Sequence, residues 1–231
     1  MKILAIDTTT KFLTLAIYDN GRIAEYNLET GNKLSSLLIP TIKRVLEALG
    51  LNPGDIDYFA VGVGPGSFTG IRLGLSAIKG FSLALGKPII GVATLDLLAM
   101  NAPLNERKII PAIDAKRGLV YSAVYKHKNG KLIKVAPYSL LSKDEFLRNI
   151  NPLSTILGDA LNLYRDDIKS HAGEVSFLDR DRWYPKAHNI ITLVLNKIRQ
   201  GRLSNKLKIN PIYLYPKECQ IRKPLINQRG S

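Results

Sequence analysis

The amino-acid sequence predicts an α/β protein made of two copies of one unit, in which three strands are followed by a helix, a strand and a helix. The order of these elements repeats along the 231 residues, although no residue-by-residue repeat is visible. The first strand of each unit ends in an aspartate, Asp7 in one and Asp114 in the other. We therefore expect two subdomains, 1–103 and 104–215, followed by a basic, loosely ordered tail at 216–231.

In the first unit, alternating β-branched and apolar residues predict strands, and apolar residues at helical spacing predict helices. The dipeptide Asn20-Gly21 is typical of a two-residue hairpin turn. Gly50 ends the first helix, and we expect Thr94 to cap the last helix of the unit. The predicted strands are 2–7, 12–19, 22–28, 58–63 and 88–92, and the predicted helices are 33–49, one that ends near 85, and 95–100.

Pro103 and several polar residues around it mark a boundary, after which the same order of elements begins again. Asn129-Gly130 predicts a second hairpin turn. We expect one more helix at 188–199 and a short extended segment at 210–214 after the second unit. The predicted strands of that unit are 108–114, 118–126, 131–138 and 155–157, and its predicted helices are 144–149 and 162–169.

A glycine-rich stretch, 61–74, joins a buried strand to a helix, and we expect Ser67 or Thr69 to cap that helix. The small residues of the helix are Gly70, Gly74, Ala77, Gly80, Ser82 and Ala84. Each glycine inside a helix costs about 1 kcal/mol relative to alanine, so their number needs an explanation. One explanation is another backbone packed closely against the helix, and the other is an anion held at the loop and the helix N-terminus.

The net charge is +14 at pH 7, and such a surface attracts polyanions such as nucleic acid, or an acidic protein. The same charge can serve solubility alone. No run of about 18 apolar residues predicts a membrane span, and the first residues lack the pattern of a signal peptide. The single cysteine, Cys219, excludes an intramolecular disulfide. We therefore expect a soluble cytoplasmic protein.

The segment Gly62–Arg72 resembles the signature of the TsaB family, also called YeaZ. The similarity extends to 4–9, 86–95 and 110–121, and it covers about the first 125 residues. The chain departs from the family pattern at two places. Tyr215 stands where an arginine is common, and Lys33 and Leu34 occupy the region of a typical His-Ser pair.

The resemblance implies a non-catalytic scaffold of the bacterial complex that forms threonylcarbamoyladenosine next to the anticodon of tRNA. Its partners are a TsaD-like catalytic subunit and a TsaE-like ATPase, with tRNA reached through the complex. The two helices of the first half pair with TsaD in a four-helix bundle, and the chain alone forms a homodimer through the same surface. The predicted interface residues are Leu34, Leu37, Leu38, Thr41, Leu73, Ala77 and Phe81.

The resemblance also implies the fold of the actin, sugar-kinase and heat-shock ATPase superfamily (ASKHA), in which the first hairpin turn of each half faces phosphate. The residues predicted to face a nucleotide or phosphate are Asp7, Thr8, Thr9, Gly64, Gly66, Ser67, Asp114, Lys116 and Arg117. The alternative is that the two aspartates only cap their turns. We expect no required cofactor, and ATP or ADP at a subunit interface stays open. The alternative functions are a free-standing sugar-kinase-like ATPase and a basic RNA-binding module.

Residue counts exclude one kind of catalytic site, and the local pattern argues against another. TsaD-type relatives carry two histidines at helical spacing that hold a metal ion, whereas His127, His171 and His188 are far apart in this sequence, so we expect no metal site. Ser67 is not followed by the pattern of a hydrolase nucleophile. The sequence leaves open whether tRNA or nucleotide touches this chain, the stoichiometry of the complex and the role of the basic tail.

Overall fold

The computed structural model describes residues 1–105, 107–201 and 209–216. In this part of the chain the strands are β1 Lys2–Asp7, β2 Phe12–Asp19, β3 Arg22–Glu29, β4 Tyr58–Gly62, β5 Ile89–Val92, β6 Lys108–Lys116, β7 Leu119–Lys128, β8 Lys131–Ser142, β9 Ser154–Leu157 and β10 Ser176–Phe177. The helices are α1 Leu34–Ala48, α2 Phe68–Leu85, α3 Thr94–Ala99, α4 Lys143–Arg148, α5 Leu161–Ala172 and α6 Ala187–Arg199.

The strands form two five-stranded sheets with the same internal order. The first sheet runs β3-β2-β1-β4-β5, and the second runs β8-β7-β6-β9-β10 when it is read from the matching edge. In each sheet the first strand of the unit is antiparallel to the next strand and parallel to the fourth. The predicted fold class, a duplicated actin-like α/β unit, is therefore confirmed.

Most predicted elements are confirmed within a few residues, and the Asn20-Gly21 turn is confirmed by positive φ at both residues. Strand β10 was not predicted, because two residues carry too little pattern. The expected cap at Thr94 is wrong, since Ala93 precedes the helix and the Thr94 hydroxyl donates a hydrogen bond to Thr9 instead. Most of the tail, 217–231, lies outside the described residues.

Two helices pack on the sheet of the other unit. Helix α6 follows the second unit in sequence, but Ile190 and Val194 pack on the first sheet against Ile3 and other apolar residues. Helix α3 belongs to the first unit, but its Leu95 and Leu98 join the core of the second sheet, while Leu97 packs with α6 on the first. Helices α1 and α2 cover the opposite face of the first sheet. The two units are thus interlocked, and the predicted boundaries stay predictions.

A half-buried group of hydrogen bonds fixes α3 to the second sheet. Asp96 Oδ1 accepts hydrogen bonds from the hydroxyl groups of Tyr125, at 2.7 Å, and Tyr138, at 2.8 Å. The Lys134 ammonium lies 3.8 Å from the same oxygen. Burial, together with the Asp96 carboxylate, raises the pKa of both phenols well above the ordinary value, so both remain proton donors.

We predict that Asp96→Ala lowers the free energy of unfolding by about 2–4 kcal/mol, because two phenol hydroxyls lose their acceptor. Asp96→Asn keeps an acceptor oxygen and should lose less. Urea denaturation measures the loss in both variants. The control is Glu47→Ala, which removes an exposed carboxylate on α1. A loss in Asp96→Ala no larger than in Glu47→Ala contradicts the prediction.

Candidate functional site

The first hairpin turn, Asp7 to Thr9, is buried by the chain itself. The side chains of Asp7 and Thr8 have no exposed surface, and Thr9 has 1%. Asp7 Oδ1 accepts hydrogen bonds from the backbone N–H and the hydroxyl of Thr9, at 2.9 and 2.8 Å. The Thr8 hydroxyl donates to the carbonyl oxygen of Gly70, in the first turn of α2, at 2.7 Å. The polar groups of this turn therefore bind to one another and to α2.

The glycines of α2 have two different environments. A Cβ at Gly70 would overlap the Thr8 carbonyl oxygen, and a Cβ at Gly74 would overlap the Thr8 hydroxyl. The prediction of a closely packed backbone is thus confirmed at Gly70, whereas at Gly74 the close neighbour is the Thr8 side chain. A Cβ at Gly80 would meet no atom within 4 Å among the described residues, so packing inside the chain does not explain that glycine.

The glycine loop before α2 also packs on the first turn. Ser67 Oγ accepts a hydrogen bond from the Gly70 N–H, which confirms it as the helix cap, and the Ser67 N–H donates to the Thr9 carbonyl oxygen at 2.7 Å. Gly64 has φ +94°, a conformation that favours glycine, and Gly66 leaves room for the Thr9 carbonyl. The loop therefore closes over the turn that was predicted to face phosphate.

The second hairpin turn is open to solvent. Asp114 Oδ1 accepts from the Lys116 N–H at 2.7 Å, and Asp114 Oδ2 accepts from the Lys116 ammonium at 2.6 Å. Asp114 thus caps its turn as Asp7 caps the first. Lys116 and Arg117 are both exposed and both have positive φ.

A cleft of about 680 Å³ lies between the two units. Six of the nine residues predicted to face phosphate line this cleft: Thr9, Gly66, Ser67, Asp114, Lys116 and Arg117. The other three, Asp7, Thr8 and Gly64, do not line it.

Asp159, which was not predicted, also lines the cleft, and its Oδ1 accepts a hydrogen bond from the Asp114 N–H at 2.9 Å. Burial raises the pKa of Asp159. Its position after β9, which matches the glycine loop after β4, was the signal that sequence reasoning missed.

The segment 209–216 crosses this cleft from one unit to the other. The Ile212 N–H donates to the Val63 carbonyl at 2.7 Å, and the Tyr213 ring packs on Phe68, with centroids 5.0 Å apart. The Tyr215 hydroxyl donates to the carbonyl oxygen of Ala115, in the second turn, at 2.8 Å. The segment therefore joins the glycine loop to the second turn.

The ASKHA fold implies a nucleotide between the two turns, and the residues do not fit one. The unpaired oxygen of Asp7, Oδ2, is buried against Gly62 and does not reach the cleft. The Thr8 hydroxyl and the hydroxyl and N–H of Thr9 already have partners within the chain. Among the described residues, three cations line the cleft, Lys116 and Arg117 of the second turn and Lys11, which is paired with Glu29. The phosphate-facing role stays a prediction.

The seven predicted interface residues divide into two groups. Leu34, Leu38 and Thr41 are covered by the core beneath α1, with 8%, 3% and 5% of their surface exposed. The other four are partly exposed: Leu37, Leu73, Ala77 and Phe81. Sequence reasoning missed further apolar side chains with large exposed fractions, among them Ile39 of α1 at 48%, Leu83 of α2 at 60%, and Leu49, directly after α1, at 43%.

Burial raises the pKa of Asp7 from 3.8 to about 6, so the unfolded chain releases this proton at lower pH than the folded chain. We therefore predict that Asp7 makes the free energy of unfolding fall as pH rises from about 4 to about 6, by at most about 3 kcal/mol. Asp7→Asn cannot ionise and should lose this part of the fall. Denaturant unfolding from about pH 4 to about pH 6 measures the free energy of unfolding of the unmodified chain and of Asp7→Asn. A difference between the two free energies that stays constant over this range contradicts the prediction.

We predict opposite effects of alanine at two glycines of α2. Gly74→Ala forces the Thr8 hydroxyl or the helix to move and should lower the free energy of unfolding by about 1–3 kcal/mol. Gly80→Ala meets no atom and should raise it by up to about 1 kcal/mol. Urea denaturation of the matched pair provides the measurement, and equal shifts would contradict the packing explanation.

Comparisons with known proteins agree with this architecture. The family model described as "TsaD: tRNA N6-adenosine threonylcarbamoyltransferase" matches residues 29–172. The Bacillus subtilis protein named tRNA threonylcarbamoyladenosine biosynthesis protein TsaB is 33% identical over 77% of this chain and 80% of its own length. The Escherichia coli protein of the same name is 35% identical over 93% of this chain and 94% of its own length.

Solved structures show the same fold. YeaZ from Pseudomonas aeruginosa superimposes with a TM-score of 0.79 at 23% identity, over 92% of this chain and 99% of that one. No described helix of this chain is both long enough and apolar enough to cross a membrane. The matched family model, the identities and the coverage together show that the chain belongs to the TsaB (YeaZ) family, within the wider family that the TsaD model describes.

Proposed function

We propose that this chain is the non-catalytic scaffold of a complex that forms threonylcarbamoyladenosine next to the anticodon of tRNA. Its role is to bind and activate a TsaD-like catalytic subunit, with a TsaE-like ATPase as a third component, in the cytoplasm. The pathway follows from the names of the relatives. The observation that carries the scaffold role is the exposed apolar surface of α1 and α2.

The apolar surface combines large and small side chains on two adjacent helices. Leu83 and Ile39 each leave about half of their surface in water, and covering a leucine or isoleucine fully contributes about 1.5–3 kcal/mol. Along α2, Ala77 and Ala84 lie near the open position Gly80, so a partner helix meets little bulk there. This combination supports close packing of helices from a second subunit. Without that subunit, the same surface supports a homodimer.

The arrangement of polar residues supports a role without chemistry of its own. The three histidines lie on three different elements, β7, α5 and α6. No group of three or more potential metal ligands occurs within the described residues. Asp7, the counterpart of a metal-binding carboxylate in nucleotide-using relatives of the fold, is sealed from the cleft.

The scaffold role predicts which substitutions separate the two subunits. Leu83→Glu and Ala77→Arg should each weaken association with a TsaD-type protein at least about tenfold, since they place charge in an apolar interface. Leu38→Glu is unsuitable because Leu38 is buried in this chain's own core. Leu163→Glu is the matched control, because Leu163 on α5 is 57% exposed, against 60% for Leu83.

Size-exclusion chromatography and titration calorimetry of the purified pair measure the association, and circular dichroism verifies the fold of each variant. Unchanged binding by Leu83→Glu, or equal loss by Leu163→Glu, contradicts the proposal. ATP hydrolysis by the isolated chain, abolished by Asp114→Ala, would instead favour the sugar-kinase-like alternative. ATP or ADP at the interface between subunits is tested by adding each nucleotide to the same titration.

A further inference from the structure

One end of the second sheet carries four lysines on one face. Lys128 of β7 lies directly opposite Lys131 of β8, and Lys126 lies opposite Ile133. Strand β6 pairs Ile109 with Tyr125, so in the same register Lys108 is the neighbour of Lys126. Residues opposite each other, or two apart on one strand, share a face of a sheet. We call these four residues, Lys108, Lys126, Lys128 and Lys131, the basic face.

The reverse side of the same strands is already occupied. Tyr125 binds Asp96 of α3, and Leu132 packs on the core of the second unit. The basic face, in contrast, points to solvent. All four of its lysines are exposed, and none forms an ion pair or hydrogen bond with any residue in the described part of the chain.

This arrangement costs stability. Like charges directly opposite on neighbouring strands destabilise a sheet, and Lys128 and Lys131 form such a pair. The net charge of +14 adds to the repulsion. A bound polyanion would remove this repulsion.

The chemistry of the basic face favours nucleic acid over protein as the polyanion. Lysine is depleted in the centre of protein–protein interfaces, where arginine and aromatic residues are common. Phosphate backbones, in contrast, are bound by lysine as a point charge, without need for directional partners. Lysines two apart on a strand lie about 7 Å from each other, and those on neighbouring strands about 5 Å, so several phosphates of one strand are within reach.

We propose that the basic face binds the phosphate backbone of RNA. The identification of that RNA as tRNA rests on the proposed function. The basic face belongs to the second sheet, whereas α1 and α2 cover the first, so the two surfaces contact different partners. Contacts to phosphate carry no base readout, so binding at the basic face is independent of nucleotide sequence.

The test uses the full chain and an unmodified tRNA transcript in filter-binding assays between about 50 and about 200 mM salt. The variant Lys126→Gln/Lys128→Gln/Lys131→Gln should bind about tenfold or more weakly at the middle of this range. The slope of log K against log salt concentration should become shallower by about 2–3, since each lost phosphate contact removes about one counterion.

Two control variants separate the basic face from the charge of the chain as a whole. The first removes the same charge from other exposed positions: Lys33→Gln, Lys43→Gln and Lys169→Gln. The second neutralises the tail: Lys217→Gln, Arg222→Gln, Lys223→Gln and Arg229→Gln. Equal loss of RNA binding in either control overturns the proposal, as does an unchanged salt slope in the basic-face variant.

Association with a TsaD-type protein is measured on the same variants. The basic-face variant should bind that protein as the unmodified chain does. If it loses the protein partner and keeps RNA, the face binds an acidic protein surface and the proposal is wrong. If the unmodified chain binds RNA through the basic face and binds no TsaD-type protein, the scaffold role fails while the RNA contact stands.

Discussion

The architecture depends on one contact, in which the turn after β1 packs against the glycine side of α2. The Thr8 hydroxyl binds the Gly70 carbonyl, and Gly70 and Gly74 have no room for a side chain because Thr8 occupies that space. The Thr94 hydroxyl binds Thr9 from the start of α3. One short turn thereby fixes the first strand, the long helix and the helix that leads to the second unit.

This contact accounts for two properties of the candidate site. Both hydroxyl groups of the turn and the Thr9 N–H have partners within the chain, so few polar groups remain for a phosphate, and Asp7 acts as a cap. The side of α2 that faces away from Thr8 is free of that constraint, and there Gly80 is open and Leu83 is exposed. The helix is therefore rich in small residues for different reasons on its two sides.

The second unit exposes more of its charged side chains to solvent around its turn and sheet than the first unit exposes at its sealed turn. Its hairpin turn presents Lys116 and Arg117 to the cleft, and the far end of its sheet presents the basic face. The two units are interlocked, because α3 of the first unit packs on the second sheet and α6, which follows the second unit, packs on the first. The segment 209–216 also bridges the cleft between them. A chain joined in this way is suited to hold partners in fixed relative positions.

The sequence alone determined the order of elements along the chain, the duplication and the family, because periodicity, turn dipeptides and the Gly62–Arg72 motif are local signals. It also narrowed the cap of α2 to Ser67 or Thr69, of which the structure shows Ser67. Only the tertiary structure decided which small residues of α2 face Thr8 and which face solvent, since residues 62 positions apart meet there. It also decided that Leu38 is core while Leu83 is surface, that Asp159 joins the cleft, and that four lysines from three strands share one face. Each of these outcomes depends on packing and register between distant segments, which a local pattern does not encode.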